Sequence, residues 1–160
     1  MTNDKRLLYF AFGSNLLEQQ RIDRLSEFGD LPSGERAVLN DYEICFHKIA
    51  NSEPGFGFAT INQSPNNSVQ GLLIGLNNQQ ISRLDRSEGV NVNPPHYTKE
   101  EITVQTDDGM EHSAFTYVAH PSRIDSSLHP SIDYLQKVVF GAKENGLDQW
   151  YIETLESFRT

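Results

Sequence analysis

Six apolar residues, Leu7, Leu8, Tyr9, Phe10, Ala11 and Phe12, stop at Gly13-Ser14-Asn15. A run this short and this apolar fits a buried strand, and the polar triplet behind it fixes where that strand ends. Gly accepts positive φ, and Ser and Asn fold their side chains back onto the local backbone. Successive N–H groups in such a turn can face one concavity that holds an anionic or carbonyl oxygen. Taken alone, the stretch reads first as a strand with an ordinary turn behind it, so the rest of the chain must decide whether it is more.

Elements of both kinds follow. Residues 16–25 carry Ile22 and Leu25 at helical spacing, and 29–34 is a connector. Tyr42, Ile44 and Phe46 alternate with Glu43 and Cys45, the period of a half-buried strand. A loop at 51–57 precedes a short strand at 58–61, a polar break at 62–67 and a further strand at 69–76. Asn77 or Asn78 opens a helix that Gly89 ends in the left-handed conformation. Ile102 and Val104 lead to Asp107-Asp108-Gly109, a hairpin turn into a strand at 114–119. Pro130 or Ser131 opens a helix closing near Gly146, and Asp148 caps a last one with Tyr151, Leu155 and Phe158 on one face. The class is α+β in one domain, 1–160; periodicity leaves open whether the sheet closes.

Composition narrows the function. The 160 residues can bury a real core, and 16 aromatic residues supply its anchors. A net charge of −9 repels nucleic acid and anionic membrane surfaces, without excluding a small anionic substrate. No window reaches membrane-spanning length, and the single cysteine, Cys45, forms no internal disulfide; the expected location is cytoplasmic. His47, His96, His112, His120 and His129 lack ligand spacing, so no metal site is expected. No Gly-rich nucleotide motif is present.

Glu88 is the side chain that most asks for an explanation. On a helix starting near Asn78, Ile81, Leu84, Asp85 and Glu88 share one face. The two aliphatic residues carry Glu88 toward the core, near a helix C-terminus that disfavours negative charge. Burial and the dipole both push a carboxyl pKa up, the direction a general acid/base near neutrality needs. A structural role, paired with Arg83, Arg86 or a distant cation, stays open, and Asp85 is a rival carboxylate. Tyr97 and Tyr134 each read as a core aromatic or a hydroxyl offered to a site, and Cys45 as a quiet small residue.

With these residues in view, the chain resembles the gamma-glutamylcyclotransferase family. YFAFGSNL (9–16) is similar to the family signature YFAYGSNL, and LDRSEGV (84–90) to L-D-x-x-E-G-V. GAKENGL (141–147) resembles the end of a C-terminal helix in the animal enzymes, and ATINQSP (59–65) with VQGLLIGL (69–76) also fits. The resemblance implies a small mixed β-barrel with peripheral helices. It implies Glu88 as catalytic acid/base and a substrate pocket drawing on Tyr9, Phe10, Ala11, Phe12, Gly13, Ser14, Asn15, Tyr97 and Tyr134. Phe12 replaces a signature tyrosine and loses its hydroxyl. The glutathione-specific branch resembles Y-G-S-L at the opening loop, which favours the other branch here. The implied reaction converts a γ-glutamyl amino acid to 5-oxoproline and the free amino acid, with a small-molecule partner, no cofactor and no metal; a homodimer is left open. The alternatives are a cyclotransferase for γ-glutamylamines or a γ-glutamyl-protected intermediate, and a family member that binds a small metabolite without turnover. Loops 51–58 and 91–96 are expected to form the leaving-group pocket.

Overall fold

The computed structural model of the protein describes residues 6–158. Strands β1 (Leu7–Ala11), β2 (Glu35–Ile49), β3 (Gly57–Leu76), β4 (Tyr97–Thr106) and β5 (Glu111–Ala119) close into a barrel in the order β1-β3-β2-β4-β5. Helices α1 (Glu18–Leu25), α2 (Asn78–Ser87), α3 (Ile132–Glu144) and α4 (Gln149–Glu156) complete the α+β architecture.

Strand pairing is antiparallel except at the seam, where β1 and β5 run parallel and meet at Tyr9↔Phe115. The seam is thin in backbone bonds. A buried hydroxyl reinforces it: Thr116 Oγ1 donates to the Phe10 carbonyl at 2.8 Å. Nearby, Thr60 Oγ1 accepts from the Ala119 N–H at 2.9 Å, tying β3 to β5.

β2 and β3 form one long hairpin, and here the expectation of two strands at 58–61 and 69–76 is corrected. The polar segment between them stays within β3, because β2 runs alongside it from Asn40 to Tyr42 with a register shift. Asp41 and Asn66 take positive φ (65° and 70°), and Asp41 Oδ1 accepts from the Asn66 N–H at 3.1 Å. Asx residues tolerate that conformation, so the break in sequence becomes a bulge rather than a turn. A second bulge sets Phe46 and His47 of β2 opposite Ala59 alone, between the pairs Cys45↔Thr60 and Lys48↔Phe58.

The helices begin and end where their caps dictate. Asn77 accepts from the Gln80 N–H at 2.8 Å while the Gln80 side chain accepts from the Asn77 N–H at 2.9 Å, a reciprocal capping box on α2. Ser131 caps α3 by accepting from the Tyr134 N–H at 3.2 Å. Asp148 stands at the N-cap of α4 by position, but its carboxylate makes no cap bond; it accepts from Arg36 at 3.1 Å and Gln70 at 2.9 Å. The expected helix at 16–25 divides into a 3-10 turn, Ser14–Leu16, and α1. No helix among the described residues is long and apolar enough to cross a membrane.

Candidate active site

The opening turn is held from several directions. β1 ends at Ala11, and Ser14–Leu16 winds into a 3-10 turn closed by Leu16 N–H donating to the Gly13 carbonyl at 3.0 Å. The N–H groups of Ser14 and Asn15 open that turn and have no acceptor within it. From α1, Arg21 donates to the carbonyls of Asn15 (2.9 Å) and Leu16 (2.6 Å), and Gln20 donates to Ser14 Oγ (2.7 Å). From α3, Asn145 donates to the Leu16 carbonyl at 2.7 Å. Gly141 allows that approach, since a Cβ there would lie 2.7 Å from Leu16. The GAKENGL segment therefore anchors the opening turn.

The Asn15 side chain, only 5% exposed, is the hub. Its amide nitrogen donates to the Tyr9 hydroxyl (3.0 Å) and to Glu88 Oε1 (3.3 Å). Its carbonyl oxygen accepts from Gln20 (3.0 Å) and Arg24 (3.0 Å). Glu88 stands one residue beyond α2, where its N–H donates to the Leu84 carbonyl at 2.9 Å and Gly89 takes φ 63°. Ile81 and Leu84 are buried as the shared face requires, and Glu88 is half-buried against Asn15. Burial pushes its carboxyl above the usual range, while Arg24, Lys48 and the Asn15 hydrogen bond pull it back. Asp85 is otherwise engaged: it accepts from the Tyr117 hydroxyl at 2.6 Å and pairs with Lys99 at 3.0 Å.

A cavity of about 570 Å³ opens beside this group. Tyr9, Phe12, Gly13, Ser14, Asn15, Glu88, Tyr97 and Tyr134 all line it. Phe10 and Ala11 are fully buried and do not line it, so within 9–15 the structure gathers the other residues and leaves these two in the core. The β2 bulge explains how the two tyrosines are aimed. It frees both peptide groups of Ala59, whose N–H donates to the Tyr134 hydroxyl (3.1 Å) and whose carbonyl accepts from the Tyr97 hydroxyl (2.9 Å). Burial pushes the Tyr134 phenol up to about 12 and raises those of Tyr9 and Tyr97 as well, so all three stay protonated near neutrality. Phe12 contributes its ring to the wall without a hydroxyl.

Three residues of the site escape a reading by periodicity. Gln20 and Arg24 lie one turn apart on α1 and meet at Asn15. Lys48 is 4% exposed on the cavity wall, directly after the bulge. Its Nζ donates to the Ile49 carbonyl at 2.8 Å and lies 2.8 Å from His96 Nδ1, over the ring of Tyr97 at 5.5 Å from its centroid. Burial lowers its pKa to about 8, which keeps the ammonium charged near pH 7; His96 is pushed down by burial and by Lys48. The one signal in the sequence is a lysine on the strand that holds Tyr42, Ile44 and Phe46, close to the 51–57 loop. Among the described residues no group of three or more His, Cys, Asp or Glu is arranged to hold a metal ion. Cys45 is buried, accepts from the Asn62 amide at 3.2 Å and does not line the cavity.

Comparison with known proteins relates the sequence and the fold to a family. The family model described as AIG2-like family matches residues 68–155. The gamma-glutamylcyclotransferase of Mus musculus is 37% identical over 154 residues, covering 94% of this chain and 77% of that protein. The gamma-glutamylcyclotransferase of Homo sapiens is 34% identical over 162 residues, covering 97% and 80%. A solved structure described as gamma-glutamyl cyclotransferase superposes with a TM-score of 0.85 at 31% identity, covering 96% of this chain and 88% of that one. This chain belongs to the gamma-glutamylcyclotransferase family.

Proposed function

We propose that the chain cyclises γ-glutamyl amino acids, releasing 5-oxoproline and the free amino acid, with Glu88 as general acid/base. The observation that carries this reading is the half-buried Glu88 carboxylate, raised by burial and held 3.3 Å from the Asn15 amide at the rim of the 13–15 turn.

A γ-glutamyl compound holds both reacting groups, the α-amine and the γ-carbonyl. The pocket need only fold the chain so that they meet, and intramolecular positioning of this kind can supply about 7–11 kcal/mol. Glu88 accepts a proton from the α-ammonium as the amine attacks the γ-carbon and the new C–N bond forms. The tetrahedral intermediate then collapses: the original amide C–N bond breaks, Glu88 returns its proton to the departing amine, and the second proton of the ring nitrogen passes to that amine, which leaves as the ammonium. A positioned general base contributes about 10²- to 10⁴-fold. The N–H groups of Ser14 and Asn15, which have no acceptor within the turn, are suited to a substrate carboxylate or the developing oxyanion, a role worth about 2.7–4 kcal/mol per donor in other enzymes. The Tyr9, Tyr97 and Tyr134 rings shape the cavity and exclude water. Phe12 keeps that shape without a hydrogen bond of its own.

The reading takes 1–160 as one cytoplasmic domain with a small-molecule substrate and no nucleic-acid or membrane partner. Its test is 5-oxoproline release from γ-glutamyl-alanine, γ-glutamyl-ε-lysine and glutathione. Release is expected to be fastest from γ-glutamyl-alanine. Silence on all three compounds would move a metabolite-binding role ahead of catalysis.

A further inference from the structure

The cavity carries a charge opposite to that of the chain. Arg24, Lys48, Arg86 and Lys137 line it against two carboxylates, Glu53 and Glu88, in a chain of net charge −9. Arg24 is already committed to Asn15 at the Glu88 end. Glu53 accepts from the Ser131 hydroxyl at 2.6 Å.

Lys48 is the buried cation of this set that no carboxylate ion-pairs among the described residues. The rings of Phe58 and Tyr97 lie 5.9 Å and 5.5 Å from its Nζ, and its hydrogen-bond contacts are one backbone carbonyl and one neutral imidazole. An ammonium carries three donors, and those two contacts leave one unused. Withdrawing a charge from water without an opposite charge is unfavourable, and the deficit disappears when an anion enters beside it. Lys48 also stands where the two rim loops come together. Asn51 and Ser52 approach from one side, Val92 and His96 from the other. The His96 N–H donates to the Gly89 carbonyl at 3.0 Å, which ties the Lys48 wall to the residue after Glu88.

We propose that Lys48, steadied by His96, reads the carboxylate of the departing amino acid and so makes this chain select γ-glutamyl amino acids over γ-glutamylamines. The inference rests on the cyclotransferase reading and adds to it the residue that sets leaving-group choice. The order in the cavity supports it. The 13–15 turn and Glu88 form the end where the γ-glutamyl head would react, and Lys48 lies on the wall built by the two rim loops. A γ-glutamyl amino acid carries two carboxylates, one for the N–H groups of the 13–15 turn and one for Lys48; a γ-glutamylamine carries one and leaves Lys48 without a carboxylate partner. A site built around a charge rejects the analogue that lacks the opposite one.

The test compares γ-glutamyl-alanine with γ-glutamyl-ethylamide, which differ by the leaving-group carboxylate, on wild type, Lys48→Met and Lys48→Arg. Wild type is expected to favour γ-glutamyl-alanine by about 10- to 100-fold in kcat/KM, the range of one charge-assisted hydrogen bond. Lys48→Met is expected to bring that ratio to within about threefold of unity, mainly through a higher KM for γ-glutamyl-alanine. Lys48→Arg keeps the charge and should retain most of the ratio, which separates charge recognition from packing if the methionine variant folds poorly. A wild-type ratio near one, or an unchanged ratio in Lys48→Met, overturns the proposal. Equal loss on both compounds also overturns it, since Lys48 would then grip the γ-glutamyl head. If wild type releases 5-oxoproline from neither compound, the cyclotransferase reading fails by itself. Calorimetric titration of both compounds into wild type then decides on Lys48: tighter binding of γ-glutamyl-alanine supports it, and equal or absent binding overturns it.

Discussion

The side-chain amide of Asn15 touches Tyr9, Gln20, Arg24 and Glu88 at once, so it shapes the pocket and adds to the pull of Arg24 and Lys48 that holds the Glu88 carboxyl down against burial. Its N–H donates to the Glu88 carboxylate and favours the charged form, against burial, which favours the neutral one. Removing it tips that balance. Asn15→Ala is expected to move the acid limb of the kcat/KM profile to higher pH, because Glu88 must be ionised to accept a proton and would ionise later. It should also cost about 1–3 kcal/mol of stability, since Tyr9 and Arg24 lose a buried partner. A pH–rate profile with an unmoved acid limb would show that another group titrates there. Glu88 carries the matching stability signature. Its folded-state pKa is raised, so the carboxyl stabilises the fold most at pH values below its ordinary range, and that contribution is lost as pH rises through the raised value. Glu88→Gln is therefore expected to melt a few degrees above wild type near pH 7 and to converge with it near pH 4. A melting curve below wild type at pH 7 would contradict a carboxylate held ionised at a cost.

At the scale of elements, α2 is where sequence and site were most closely joined. Asn77 starts it, Gly89 stops it, and the apolar face of Ile81 and Leu84 delivers Glu88; each of these was legible because caps and periodicity are local. Gly89 has φ 63°, and a Cβ added there would lie 2.6 Å from His96 Cδ2. Gly89→Ala is expected to cost about 1–2 kcal/mol for the left-handed backbone alone, and more for the displaced imidazole. It should also weaken substrate use through the Lys48–His96 contact; denaturant unfolding with parallel kinetics checks both. The strands were harder to read. The polar residues at 62–67 resemble a turn, yet β3 runs through them because β2 pairs on either side. The bulge opposite Ala59 left no mark in the sequence, since an extra residue in one strand is defined only against its partner. With the bulge unseen, the aiming of Tyr97 and Tyr134 and the placement of Lys48 could not be derived. The tyrosines came from the family resemblance, and Lys48 from neither route.

For the whole molecule, the deciding event is closure. Periodicity supplied strands and helices but not the ring they form, because β1 and β5 are far apart in the chain and meet at one bridged pair. That seam places Tyr9 beside Phe115 and Tyr117, with ring centroids 5.4 Å and 5.7 Å away, and so fixes one wall of the cavity. Thr116 Oγ1 substitutes for missing backbone bonds there. Thr116→Val keeps the shape and strands the Phe10 carbonyl, and is expected to cost about 1–3 kcal/mol in denaturant unfolding. An unchanged midpoint would mean that the seam is held by packing alone. The same closure lets a chain of net charge −9 keep a cavity lined by four cations, an arrangement that draws in small anions against the global field.

The most direct test of the account is the rate of 5-oxoproline release from γ-glutamyl-alanine by wild type and by Glu88→Gln, each shown to be folded by its melting curve. Wild type is expected to turn over, and Glu88→Gln to lose about 10²- to 10⁴-fold in kcat while remaining folded. A folded Glu88→Gln variant that keeps most of the wild-type rate would contradict the assignment of Glu88 as the acid/base.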